Sequence, residues 1–293
     1  MAKYREAVSN VQVGETAEAA APQALLPSTL SGGLRFVDPY SGEEEKADVL
    51  RANASDEELP EAGDAFEAAF FKVGRPAVLG SFGTVPDTSA YPWRAIAYLD
   101  IVTEPGTSDE DHWRGTGFLV SPHTLITAGH NVFLHDHGGW PKEILVHPGR
   151  NARGSPFGSF AAHTFYTTRG WMDGRSAEYD YGAIVLDTDI GAKLGYFGLL
   201  PASDTDFANL ELYLAGYPNT SGEQVRGDGH SQSETNQTVV YYDVPTAVGQ
   251  SGAPLWFRDV ARAVAIHAYD SGAWNSGVRI NEAVFTQLSA WSK

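Results

Sequence analysis

Beyond residue 77 the apolar residues of this chain come in short runs, each closed by glycine, proline or a polar turn: residues 95–102, 115–120, 124–128, 144–146, 181–186, 210–217, 237–243, 252–257 and 261–268. Such runs are too brief for amphipathic helices, which keep apolar positions three and four apart over about 11 residues or more. They fit strands, and the 31 glycines and 16 prolines among 293 residues supply the turns between them. Short strands at these intervals favour antiparallel barrels, whose closure hides unpaired sheet edges. Residues 281–291 alone show helical spacing, through Ala283, Val284, Leu288 and Trp291. The expected fold class is therefore all-β, closed by a C-terminal helix.

Residues 1–76 have a different make-up. Glu43-Glu44-Glu45 and Asp56-Glu57-Glu58 form acidic clusters, residues 17–21 are rich in alanine, and aromatics are few. A segment of this kind buries too little apolar surface to offset the entropy of ordering it. One short helix is expected at residues 64–71. The whole stretch is read as an N-terminal extension, either removable or permanent, and in the second case available to dock a partner.

The formal net charge of -17 repels phosphate backbones and anionic headgroups, so nucleic acid and membrane surfaces are not expected partners. No apolar run reaches the roughly 18 residues that a membrane-spanning helix needs. Cysteine is absent, which removes disulfides, thiolate metal sites and a cysteine nucleophile together. A cysteine-free fold with a large core is viable inside or outside the cell, so the compartment stays open. Met1-Ala2-Lys3-Tyr4-Arg5-Glu6-Ala7 carries basic residues with no apolar core behind them, and no secretory signal is read there. Nothing in the sequence fixes an oligomeric state.

Chemistry enters at Gly249-Gln250-Ser251-Gly252-Ala253-Pro254. Glycine weakens an ordered element unless the backbone needs special dihedrals or a close approach, and acyl transfer gives such a reason. If Ser251 attacks a carbonyl, its own N–H and that of Gly249 can both turn toward the oxygen that gains charge. Taken alone, the same residues also suit a polar surface turn. A nucleophilic serine needs a base and an acid to orient it. Thr127-Ala128-Gly129-His130 ends an apolar strand in a histidine, and Asp180-Tyr181-Gly182-Ala183 puts an acid just ahead of another. Singly, His130 fits a core histidine and Asp180 a turn residue; jointly, in the order His, Asp, Ser, they form a candidate triad.

These three segments resemble the signatures of the chymotrypsin-fold serine proteases, and among them the bacterial glutamyl endopeptidases, the V8-like and Bacillus-type branch. Val78-Leu79-Gly80, Ala90-Tyr91-Pro92-Trp93, Pro148-Gly149-Arg150-Asn151, Gly195-Tyr196-Phe197-Gly198, Ala215-Gly216-Tyr217-Pro218 and Ala265-Ile266-His267 extend the resemblance over residues 77–293. It implies two packed six-stranded antiparallel barrels, residues 77–200 with His130 and Asp180, and residues 201–293 with Ser251. It implies a serine endopeptidase acting on proteins or peptides without a cofactor, made as a precursor whose acidic pro-segment, residues 1–76, is removed near Val78. Export is implied by the resemblance alone.

Specificity is read from the pocket. The position where trypsin-like enzymes carry aspartate, six before the serine, holds Pro245. Thr246 and His267 match the residues with which glutamyl endopeptidases bind the substrate glutamate, and a hydroxyl and an imidazole are suitable carboxylate donors. Asp270 follows where relatives carry a small neutral residue, and a carboxylate turned into the pocket would oppose glutamate. His135-Asp136-His137 lacks further ligands at metal spacing and reads as a solvated loop, so no metal site is expected. Arg226-Gly227-Asp228 likewise reads as a Gly-rich loop. A silent binding module on a protease fold is the alternative; an esterase elbow fails for want of Gly-x-Ser-x-Gly.

Overall fold

The computed structural model describes residues 7–10, 82–103, 112–232, 236–257, 261–270 and 274–292. The expected helix at 64–71 and the processing point near Val78 lie outside the described residues. The rest is two curled antiparallel sheets, as the strand pattern implies.

The first sheet runs β1 (Ala7–Ser9), β8 (Thr164–Thr168), β9 (Gly182–Val185), β5 (Thr124–Thr127), β4 (His112–Leu119), β3 (Ile96–Val102), β6 (Glu143–Pro148) and β7 (Phe160–Ala162). Every residue of β3 is buried, because the strand lies between β4 and β6 with both faces covered. Its one charged member, Asp100, is met by His112 Nδ1 at 2.9 Å. In β6 burial alternates, with Ile144, Val146 and Pro148 inward, as a strand with one wet face requires.

The second sheet runs β13 (Val239–Tyr242), β16 (Asn275–Arg279), β15 (Arg262–Asp270), β14 (Pro254–Phe257), β11 (Leu212–Gly216), β12 (Val225–Gly229) and β2 (Phe82–Thr84), with β10 (Gly198–Leu199) in parallel on β15. Among the described residues each sheet therefore has eight strands rather than six. The additions are short edge pieces that the sequence pattern does not mark. Arg226-Gly227-Asp228 is not a loop but the middle of β12. Gly227 is required there because a Cβ would crowd Pro245 O and Val244 Cγ1.

Helices are short: α1 (Gly129–Val132), α2 (Arg169–Gly174), α3 (Ile190–Leu194) and α4 (Asp204–Asn209), with α5 (Glu282–Trp291) the longest among the described residues. Asn281 caps α5, its Oδ1 accepting from Ala283 N at 3.1 Å and Val284 N at 3.0 Å. Val284, Leu288 and Trp291 are its buried stripe, and Trp291 stacks on Tyr166 of the first sheet at 5.9 Å. The terminal helix thus leaves the second sheet and packs on the first, while β2 crosses the other way to pair with β12.

One apolar cluster spans both sheets. Phe197 meets Phe118 at 5.6 Å and Trp256 at 5.4 Å, and Tyr98 meets Tyr217 edge-on at 5.8 Å. Fully burying side chains of this size contributes about 2 kcal/mol each, which is what presses the two sheets together.

Candidate active site

Register alone brings the histidine to the acid. In the antiparallel pair β5–β9, Thr127 stands opposite Gly182, so residues just after β5 lie beside residues just before β9. His130 and Asp180 are those residues. Asp180 Oδ1 accepts from the His130 backbone N–H at 2.8 Å, and Oδ2 accepts from His130 Nδ1 at 2.8 Å. Because the carboxylate accepts, Nδ1 carries the proton and Nε2 keeps its lone pair for the cleft. Asp180 is completely buried, and His130 is 7% exposed. Gly129 has to be glycine, since a Cβ would come within 2.8 Å of Asp180 Oδ1.

The phenol of Tyr269, from β15 of the second sheet, donates to the same Asp180 Oδ2. Its ring and that of Trp171 flank the imidazole, each with its centroid 6.0 Å away. Burial first, and the neighbouring Asp180 second, push the Tyr269 hydroxyl far above the ordinary tyrosine range, so it remains a neutral donor.

The serine loop is built from left-handed glycines. Gly249 has φ +99°, and a Cβ there would strike Tyr217 O and the Asn219 backbone. Gly252 has φ +88°, and a Cβ would overlap Thr116 O and Thr127 Oγ1 of the first sheet. Buried Gln250 closes the turn, its N donating to Ala247 O at 3.1 Å and its Oε1 accepting from Ala247 N at 2.8 Å. The loop is then tied to the histidine's own segment. Ser251 O accepts from Thr116 N at 2.9 Å and from Asn131 Nδ2 at 2.9 Å, and Asn131 follows His130 directly. Ser251 Oγ lies 3.5 Å from Ala268 O, the residue before Tyr269. The Gly249 N–H donates to no acceptor among the described residues, while its carbonyl accepts from Thr116 Oγ1 at 3.0 Å.

His267 lines the same region, with Nδ1 2.6 Å from Tyr242 OH. Burial first, and His130 second, push its pKa down to about 3, so the ring is neutral. Burial also raises the Tyr242 hydroxyl well above its usual range, leaving it protonated. Thr246 is half-buried in the loop before the serine, and its hydroxyl bonds to nothing among the described residues. Asp270 is described only through its backbone, paired with Asn275 in β15–β16. His135 and Asp136 are engaged elsewhere, with Trp171 O at 2.9 Å and Arg175 at 2.6 Å respectively. Among the described residues, no three His, Cys, Asp or Glu side chains converge to hold a metal ion.

Three residues at the site were not read from the sequence: Thr116, Asn131 and Tyr269. Thr116 carried one available signal, its place between Gly115 and Gly117. Gly115 leaves room for Asn131, whose Nδ2 would lie 2.6 Å from a Cβ there.

Two facing antiparallel sheets, with the His–Asp pair on one and the glycine-flanked serine on the other, define the chymotrypsin class of serine protease fold. No family model matches the chain. An extracellular metalloprotease of Bacillus subtilis (strain 168) is 32% identical over 213 residues, 71% of this chain and 66% of that protein. A glutamyl endopeptidase of Bacillus licheniformis is 32% identical over 220 residues, again 71% of this chain and 66% of the relative. The chain thus spans just under two thirds of the length of these curated relatives. A solved structure of a Glu endopeptidase in complex with MPD superposes with a TM-score of 0.64 at 23% identity, over 72% of this chain and 96% of that one. The chain is thus similar in sequence to a glutamyl endopeptidase and has the chymotrypsin-like serine protease fold.

Proposed function

We propose that the chain is a serine endopeptidase that cleaves after glutamate and is made as a precursor. The observation that carries this reading is the buried Asp180 holding His130 Nδ1 at 2.8 Å while Asn131 grips the backbone of Ser251. Ser251 Oγ attacks the scissile carbonyl as His130 Nε2 takes its proton. The same nitrogen returns the proton to the departing amine, leaving an acyl-enzyme that water hydrolyses by the reverse roles. Asp180 keeps its hydrogen bond to Nδ1 and stabilises the imidazolium. The N–H groups of Gly249 and Ser251 receive the oxyanion, each contributing about 3 to 4 kcal/mol in sites of this kind.

Glutamate preference rests on Thr246 and His267, together with the glutamyl endopeptidase kinship. With Tyr242 OH donating to Nδ1, Nε2 carries the ring N–H of His267, which the Ser276 backbone also engages, and the Thr246 hydroxyl supplies a second donor. A neutral pair of donors holds a carboxylate without offering a site for lysine or arginine. The precursor reading rests on the acidic N-terminal extension. Glu58, Glu61 and Glu67 lie ahead of Val78, so an enzyme cutting after glutamate trims its own leader in trans.

The test is fluorophosphonate labelling of the form beginning near Val78, beside its Ser251→Ala variant, followed by a peptide-library cleavage profile. Labelling of the parent alone, with cuts dominated by glutamate, is the expected result. A folded parent that takes no label would leave the silent binding module in its place, and cuts after lysine or arginine would overturn the pocket assignment.

A further inference from the structure

The carboxylate of Asp180 is held by more than the histidine it orients. Its second donor, the Tyr269 hydroxyl, reaches it from the opposite sheet, and the strand that carries Tyr269 is irregular just there. Across β15–β16, His267 pairs with Gly277 but Tyr269 with Ser276, so Ala268 is an extra residue in the ladder. A bulge of this sort re-aims the side chain beside it, and such bulges gather next to active sites. Ala268 brings no hydroxyl of its own, so the donor to the buried acid comes from the next residue along. The bulge also leaves Ala268 O facing Ser251 Oγ at 3.5 Å.

We propose that Tyr269 is a positioning residue of the triad: from the second sheet it fixes the Asp180 carboxylate, and by sharing Oδ2 with His130 Nδ1–H it tempers the basicity of the histidine. The inference rests on the serine-protease reading of the site. Two consequences follow from one hydrogen bond. The acid is aligned only when the two sheets are docked. Part of its negative charge is drawn toward the phenol, so the imidazolium gains less from it than it would from a carboxylate bonded to histidine alone.

Other titratable groups face this pair and bear on any pH reading. His267 stands on β15 and is itself shifted by His130, His135 feels Asp180 from the segment after α1, and Tyr179 and Tyr181 flank the acid. None of the four is altered by removing the Tyr269 hydroxyl, so a shift on that change reports the Tyr269 bond.

The experiment is an NMR titration of the His130 ring in the parent and in Tyr269→Phe, which keeps the ring and loses the donor. The His130 pKa is expected to rise by about half a unit to one unit on losing a hydrogen bond to a charged group. The acid limb of kcat on a small ester substrate should move up with it. At the optimum kcat should fall about tenfold, equivalent to about 1.4 kcal/mol, with KM within about twofold. Should Tyr269→Phe fail to fold, 3-fluorotyrosine at 269 makes the hydroxyl a stronger donor and is expected to lower the His130 pKa instead. An unchanged His130 titration in either variant overturns the proposal. The titration needs no turnover, so a parent that fails to label with fluorophosphonate would sink the peptidase reading while leaving this coupling still measurable.

Discussion

Thr116 N donates to the carbonyl of Ser251 at 2.9 Å, joining the middle of the first sheet to the loop that presents the serine in the second. The Thr116 side chain repeats the link, its Oγ1 donating to Gly249 O at 3.0 Å and accepting from Tyr217 N at 2.9 Å. One threonine therefore holds both ends of the Gly249–Ser251 turn. Thr116→Val keeps the volume and the backbone bond but strands two buried groups, Gly249 O and Tyr217 N. Unsatisfied buried groups cost roughly 1 to 3 kcal/mol each, so urea unfolding should show a loss of about 2 to 6 kcal/mol. The Gly249 peptide loosens with it, and kcat should fall by about tenfold or more, since one misplaced oxyanion donor carries that much. A variant with parental stability and turnover would refute the link.

Asp180→Asn tests the orientation of the histidine. An amide can still bond to the His130 backbone and ring, but its NH2 group facing Nδ1 selects the tautomer with the proton on Nε2, where the base is needed. Stability should change little beside the loss of activity, which is expected to reach about 10^4-fold near neutral pH, as for triads of this type. Activity should recover partly at high pH, where a hydroxide can serve in place of the missing base. Steady-state kcat from pH 6 to about 10 measures both.

The candidate triad can be picked out in the sequence because each member sits in a short segment whose residue types answer one demand. Ser251 needs left-handed neighbours, and Gly249 and Gly252 have φ +99° and +88°. His130 and Asp180 needed only to flank strands that pair, and β5 and β9 do. What the sequence did not mark depends on contacts between the sheets. Tyr269 looks like any strand aromatic until the bulge at Ala268 turns it to Asp180, and Thr116 looks like a core threonine until the second sheet docks. β8 is hard to see in the sequence because Thr164-Phe165-Tyr166-Thr167-Thr168 is half polar. It is a strand all the same, because Phe165 and Thr167 go inward and β-branched residues suit the pleat. β12 is obscured for the opposite reason: its glycines and charges signal a turn, and only close packing against Pro245 and Val244 explains Gly227.

Acid should destabilise the protein through histidines that the fold holds neutral. Burial first, and Arg150 second, push His147 down to about 4, while its Nδ1 rests on Ser155 Oγ at 2.8 Å. Between pH 6.5 and 4 the unfolded chain binds a proton at this site that the folded chain refuses, so stability falls as pH drops through that window. Above pH 6.5 the effect is fully relieved. His267, with a folded value of about 3, adds a second contribution of the same sign reaching lower. A single fully buried histidine sets a slope of at most about 1.4 kcal/mol per pH unit. His147→Gln retains a partner for Ser155 and cannot take up the proton. Urea midpoints measured from pH 4.5 to 7 should therefore show a shallower slope in the variant. Parallel curves would mean that His147 is protonated in the folded state.

Residues 7–10 lie in the N-terminal extension yet complete the first sheet. Ala7, Val8 and Ser9 pair with Thr168, Thr167 and Tyr166 of β8, and Asn10 locks the end of the pair. Its Nδ2 donates to His163 O at 2.6 Å, and its Oδ1 accepts from Phe165 N at 2.8 Å. β8 leads straight into α2, where Thr168 Oγ1 caps Trp171 N and donates to Tyr179 O, next to Asp180. The strand thus covers an edge whose other end supports the segment that carries Asp180. Asn10→Ala removes two hydrogen bonds and should cost about 1 to 2 kcal/mol of local protection, read as faster hydrogen exchange at Phe165 and Thr167. If the extension is cut between residues 10 and 78, residues 7–10 should remain bound to the processed enzyme and appear beside it in native mass spectra. Processed enzyme free of that peptide, with the exchange of β8 unchanged, would show that the edge needs no cover.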